Sequence, residues 1–212
     1  MYNKKRDLGA TIGVKTRPLE RLSFKVANSD EREQALALQR EVYAGDVGHV
    51  PSDAFDESAH YLVAVDSTRE VIGMFRMVGP EHRPFDLERF VDLSAHIAPE
   101  RQVALIGRLC IREDHRDVSR SFNVPIGLFQ LALRFSGQHG FTDLIMYTFP
   151  HLLNFYRTAY FQCLNLSFAH PGYGCEMHVM RLDLVDVARE YVHSAEPMAR
   201  LLFGRKLPNV LL

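Results

Sequence analysis

Short apolar runs bounded by turn-forming residues recur along the chain and read as strands: Ser23–Ala27, Tyr61–Val65, Val71–Val78, Gln102–Ile111, Leu144–Thr148, Leu164–Ala169 and Cys175–Asp183. Asp66–Arg69 is turn-like, which makes the second and third a hairpin. Helical spacing appears between the runs. Asn28 or Ser29 caps a helix that runs to about Ala44 with Ala35, Leu38 and Val42 on one face. A second helix runs from about Val124 to His139, with Asn123 as its cap, Pro125 in its first turn and Gly140 after its end. Ile126, Leu128, Phe129, Leu131, Ala132, Leu133 and Phe135 surround it with apolar groups, so it is central and buried. Pro150 opens a further helix and Leu184–His193 forms the last, while Gly45–Ser58 reads as a polar loop and Pro84–Ala95 as short helical turns.

Strand, helix, hairpin, long strand, helix, strand, helix, strand pair is the order of a mixed α/β domain. The 212 residues fit one core, assigned to residues 22–195, with a basic extension at 1–21 and an apolar and basic segment at 196–212. Composition changes this picture in few places. A net charge of -1 argues against nucleic-acid binding, which needs an excess of Lys and Arg. Cys110, Cys163 and Cys175 are odd in number and sit in apolar runs, so they read as small buried hydrophobes in a reducing compartment, with no metal-ligand spacing. The N-terminal MYNKKRDLGATIGV has no apolar core, and no run approaches the ~18 residues of a membrane span, so a cytoplasmic location is expected. Ala199–Leu212 can touch a membrane peripherally, although packing on its own domain or on a partner copy fits it better.

The candidate chemistry starts where the long strand ends. Arg112-Glu-Asp-His-Arg-Asp-Val-Ser-Arg120 follows it, and then the capped helix begins. A helix N-terminus presents unpaired N–H groups and about half a positive charge, which suits phosphate, and Arg116 and Arg120 can add donors. Glu113, Asp114 and Asp117 cancel those arginines on paper, so a solvated turn ahead of a core helix reads equally well. With Asn154-Phe-Tyr156-Arg-Thr-Ala-Tyr-Phe161 after the next strand, the chain resembles the Gcn5-related N-acyltransferase (GNAT) fold. The resemblance implies a single mixed, largely antiparallel sheet flanked by helices. The usual paired glycines of the phosphate loop are replaced by Ser121-Phe-Asn-Val-Pro-Ile-Gly127. This favours a carrier protein's phosphopantetheine arm over coenzyme A, gripped around Arg112, Arg116, Arg120, Ser121 and Asn123.

A narrower resemblance, over roughly residues 24–183, is to the long-chain N-acyl amino acid synthases and, more distantly, to the acyl-homoserine lactone synthases. It rests on Arg40, Tyr43, Asp53-Ala-Phe-Asp56, His60-Tyr61-Leu62, Gly73-Met-Phe-Arg76-Met and Gly107-Arg108-Leu109. It implies a buried charged network of Arg40, Asp53, Asp56, Arg76 and Arg108 that shapes the acyl-donor and amine sites. Physically, strand-borne Arg76 and Arg108 need carboxylate partners if buried, and Asp53 and Asp56 can supply them. The lactone synthases have a glutamate at the position of Leu105 and a tryptophan in the first loop, whereas this chain has no tryptophan, which points to simple amide formation.

The activity so implied is transfer of a long-chain acyl group from an acyl carrier protein thioester, with no tightly bound cofactor, to the amine of an amino acid such as tyrosine. Arg76 or Arg108 can hold the acceptor's carboxylate. Glu176, His178 and His151 are candidate bases, and Tyr156 a proton donor to the leaving thiolate. Backbone N–H groups around Ile111 are candidate oxyanion donors. Phe75, Met77, Phe129, Leu133, Met146 and Phe149 can line an acyl tunnel or simply be core. An acetyl-coenzyme-A-dependent N-acetyltransferase, a non-catalytic lipid-binding module and an acyltransferase making ornithine-type lipid precursors stay open beside this reading.

Overall fold

Asn28 stops the first strand and starts the first helix with a reciprocal pair of hydrogen bonds. Its side chain accepts from the Glu31 backbone N–H at 3.0 Å, and the Glu31 carboxylate accepts from the Asn28 N–H at 3.1 Å. The computed structural model describes residues 22–48, 50, 52–116, 123–191 and 195–204, so the basic extension lies outside the described residues. Its strands are β1 (Ser23–Val26), β2 (His60–Val65), β3 (Val71–Val78), β4 (Val103–Ile111), β5 (Asp143–Thr148), β6 (Gln162–His170) and β7 (Cys175–Asp183). Its main helices are α1 (Ser29–Asp46), α2 (Asn123–Gln138), α3 (Leu153–Thr158) and α4 (Leu184–Tyr191). Pro84–Ala95, expected as short helical turns, contributes one at Asp86–Arg89.

The strands form one sheet in the order β1-β2-β3-β4-β5-β7-β6, parallel only between β4 and β5. This is the mixed, largely antiparallel sheet that the resemblance implies. α1 covers one face with Ala35 and Leu38, over Tyr61, Val63, Met74, Leu105 and Ile145. α2 covers the other over Leu62, Ile72, Phe75, Ile106 and Met146. Close approach of α2 depends on two glycines. A Cβ on Gly73 of β3 would sit 2.7 Å from Val124 Cγ1, and one on Gly127 of α2 would meet the Phe24 ring at 2.2 Å.

Two departures from regular pairing open the middle of the sheet. β4 and β5 are paired only over Val103–Leu105 and Asp143–Ile145, and beyond that they part. On its other side, β4 pairs Gly107 with Arg76 and Cys110 with Met74, so Arg108 and Leu109 together oppose Phe75. Arg108 takes φ 54, the left-handed conformation that a bulge imposes. The extra residue flips the side-chain alternation: Ala104 and Ile106 face α2 before the bulge, and Leu109 and Ile111 do so after it. Arg108 and Cys110 are thereby delivered to the α1 side.

Where β4 and β5 do pair, a charged cluster holds them. Asp143 is fully buried and accepts from Arg101 Nε at 2.6 Å, Arg181 Nε at 2.7 Å and the Thr142 hydroxyl at 2.7 Å. Both arginines also reach Asp183 at 2.7 Å. Past α4, Ala199 is buried and Leu202 packs in the core under α2, where the Gln130 amide donates to the Leu201 carbonyl. The described part of the C-terminal segment therefore packs on its own domain rather than offering those groups to a membrane.

Candidate active site

The parting of β4 and β5 leaves a cavity of about 440 Å³. It takes Leu105–Leu109 from β4, Met146–Thr148 from β5, Val42 and Tyr43 from α1, and Tyr156 from α3. Ile106, Met146 and Tyr156 belong to the core under α2, whereas Leu105, Tyr147, Phe149 and Tyr173 belong to the core under α1. The cavity wall is therefore drawn from both faces of the sheet. Gly107 lies on its wall, where an added Cβ would have no atom within 4 Å.

On the α1 side the cavity is braced by a buried ionic cluster. Arg76 Nη1 donates to Asp53 Oδ1 at 2.6 Å and to Asp56 Oδ1 at 2.7 Å. Arg108 closes the square, Nη1 to Asp56 at 2.5 Å and Nη2 to Asp53 at 2.6 Å. The arginines are 3% and 9% exposed. Burial alone would raise the Asp53 carboxyl, but the Arg76 hydrogen bond and the charges of Arg76 and Arg108 hold it below the usual carboxylate range. The Asp53–Asp56 loop is tied down further by the Asp56 carbonyl, which accepts from Arg32 at 2.6 Å and from the Tyr61 hydroxyl at 3.2 Å. The four charges sum to zero, and both Arg108 terminal nitrogens are engaged.

Tyr156 sits on the α2 side of the opening, buried, with its hydroxyl bonded to Thr148. Burial pushes its phenol well up, so it holds its proton at neutral pH. The α1 side is walled by aromatic rings. Tyr43 and Tyr173 stack at 6.2 Å, Phe149 lies 5.3 Å from Tyr173, and Tyr147 lines the same wall. His151 stands at the rim with its ring on Phe149.

Several expected site residues lie elsewhere. Arg40 is exposed on α1 and is no part of the ionic square, because α1 turns Gln39 rather than Arg40 toward the core. Glu176 is exposed near the β6 edge of the sheet, where Ser167 donates to it at 2.6 Å, and it does not line the cavity. Phe75, Met77 and Phe129 are filled core under α2, with the Phe75 and Phe129 rings 5.0 Å apart. Ile111 pairs with Gly73, gives its carbonyl to Arg116, and lies past the cavity wall, which ends at Leu109. The expected basic grip is largely neutralised: Arg112 pairs with Glu70 and Asp114, and Arg116 pairs with Asp46. Arg120, Ser121 and the side chain of Asn123 lie outside the described residues. The sequence reading had assigned no role to Tyr147 or Tyr173, whose only signal was an aromatic at a strand end and another in a hairpin turn.

A seven-stranded, largely antiparallel sheet, parted beside a bulged central strand and covered by helices on both faces, defines the class: the chain has the GNAT fold. A family model described as an acetyltransferase (GNAT) domain matches residues 33–122. Among solved structures the chain is similar to FeeM, an N-acyl amino acid synthase from uncultured soil microbes, at 15% identity over 78% of this chain and 92% of that one, with a TM-score of 0.69. It is also similar to the acyl-homoserine lactone synthase LasI (15% identity, 90% and 97% covered, TM-score 0.62). A third likeness is to BjaI, a coenzyme-A-dependent acyl-homoserine lactone synthase (17% identity, 82% and 91% covered, TM-score 0.57). No curated protein sequence matches the chain.

Proposed function

We propose that the chain is an N-acyltransferase that moves a long-chain acyl group from a phosphopantetheine thioester, carried by an acyl carrier protein, to the amine of an amino acid. The cavity at the β4–β5 opening carries this reading, because its wall is drawn from both faces of the sheet and gives a thioester and an amine room to lie side by side. Its volume lies within the ~300–1,000 Å³ range of small-molecule sites, and an acetyl group would leave most of it empty. Aromatic walls at Tyr43, Tyr147, Phe149 and Tyr173 favour an aromatic acceptor such as tyrosine.

The amine nitrogen attacks the thioester carbon, the C–N bond forms, and the carbonyl oxygen becomes an oxyanion. Backbone N–H groups of residues 106–109, which lie on the cavity wall beyond the last β4–β5 pair, are the candidate oxyanion donors. Collapse breaks the C–S bond, and the thiolate takes the Tyr156 proton. Arg76, Arg108, Asp53 and Asp56 hold the α1 wall in shape. The carrier assignment leans on the missing paired glycines in the sequence that holds Arg120 and Ser121.

The test pairs the purified protein with palmitoyl-acyl carrier protein, palmitoyl-CoA or acetyl-CoA, each with L-tyrosine, and reads thiol release and product mass. N-palmitoyl-tyrosine made fastest from the carrier-linked donor is expected. Turnover of acetyl-CoA alone would replace this reading with that of an N-acetyltransferase.

A further inference from the structure

The geometry points to Tyr147, backed by Asp86, as the group that takes the proton from the attacking amine. This rests on the acyl-transfer reading and puts the base on the cavity wall, which Glu176 does not line. Tyr147 projects from β5 to the α1 face and lines the cavity, whereas Asp86 does not. The Tyr147 hydroxyl donates to Asp86 Oδ2 at 3.0 Å, which leaves the phenolic lone pairs free to accept from a group in the cavity. Asp86 is held in place, its other oxygen accepting from the Leu87 N–H at 2.8 Å in a turn whose flanking Phe85 and Leu87 are buried. Tyr147 and Tyr156 flank the opening from opposite faces, so a proton acceptor stands on the amine side and a proton donor on the thiolate side.

The proton balance is simple. After attack, the ammonium N–H of the tetrahedral adduct passes its proton to the Tyr147 oxygen while the Tyr147 proton passes to Asp86. The C–S bond then breaks and the thiolate takes the proton of Tyr156. Asp86, half-buried, returns its proton to solvent, and Tyr156 takes one back. The other ionisable groups around Tyr147 are Arg76 on β3, His170 on β6 and Tyr173 in the β6–β7 turn. Burial and Asp86 together push the Tyr147 phenol far up, so it relays a proton and does not ionise by itself.

Tyr147→Phe keeps the ring that packs 5.5 Å from Phe168 and 5.7 Å from His170, so it should fold. With palmitoyl-acyl carrier protein and L-tyrosine, kcat should drop about 10²-fold near roughly pH 7 while the donor KM holds. The deficit should shrink as pH rises, because hydroxide then removes the adduct's proton without Tyr147. Asp86→Asn should give the same loss, and the double variant no further loss. If Asp86→Asn does not fold, Tyr147→Phe decides alone. Full activity in Tyr147→Phe, or a loss equal at every pH, overturns the relay and leaves the acyl-transfer reading standing. A wild-type protein that acylates no amine overturns both.

Discussion

Two clusters of two arginines and two aspartates bracket the central strands, and they do different work. At the closed end, Asp143 has no exposure and its partners Arg101 and Arg181 reach the surface. Around the cavity the burial is inverted: Arg76 and Arg108 are buried on strands, and Asp53 and Asp56 ride on a loop that water reaches. The first cluster joins β4, β5 and β7 where their pairing is regular. The second braces a loop against a bulge where pairing has failed. Charge composition is the same, but which partner is stranded by a substitution differs, and that decides whether stability or activity suffers.

The largest effect should follow Asp143→Ala. It removes the fully buried acceptor shared by Arg101, Arg181 and the Thr142 hydroxyl, and losing those charge-assisted bonds costs about 3 kcal/mol. For a chain of this size that is a Tm drop of about 10 °C. Activity per folded molecule should be unchanged. Thermal melts alongside the acyl-transfer assay check this, and equal losses in both would erase the distinction between the clusters.

Arg108→Lys should do the reverse. Lys keeps the charge but cannot bridge Asp53 and Asp56 with two parallel bonds. Both aspartates have access to water, so the fold should lose only a few degrees of Tm. The α1 wall shifts, however, and a displacement near 1 Å costs about 10²-fold in rate. A full-rate variant would reduce this cluster to a loop anchor like its counterpart.

Acid offers a smaller, graded separation. The Asp53 carboxyl is held low by Arg76 and Arg108, despite the opposing effect of burial. A depressed folded value adds stability that is fully present above the unfolded pKa of about 4 and is lost as pH falls through the folded value. Asp183 is likewise lowered, against its burial, by the Asp186 backbone N–H and the arginines. Asp53→Asn should therefore flatten the fall of Tm below about pH 4, and so should Asp183→Asn. Melting curves across that range give the two contributions one at a time.

Much of this was readable before any coordinates. A helix cap at Asn28 or Ser29, a helix from about Val124 to His139 and the approximate strand limits follow from local spacing, because each is decided by neighbours within a few residues. The pairing of Arg76 and Arg108 with Asp53 and Asp56 also followed, since buried guanidiniums need carboxylates. The bulge at Arg108 did not, because Gly107-Arg108-Leu109 reads as ordinary strand until β3 supplies the register. Without the bulge and the parting of β4 from β5, Phe75 looks as good a tunnel wall as Met146. The Asp143 cluster joins residues that look like solvated strand ends, and only the fold brings Arg101 beside Asp183.

The smallest effects should come from the two residues that lie away from both clusters. Glu176 hydrogen-bonds to Ser167 on the exposed face of the hairpin, and Arg40 lies on the outer face of α1. Exposed substitutions of this kind usually stay within about 0.5 kcal/mol, near a twofold change in rate or equilibrium. Glu176→Gln and Arg40→Ala should accordingly leave both Tm and acyl transfer at wild-type values, with an unaltered pH profile. The profile is the sensitive readout. If Glu176→Gln suppressed activity at neutral pH and recovered it in alkali, proton removal would belong to β7, and the cavity wall carrying Tyr147 would be left with a binding role alone.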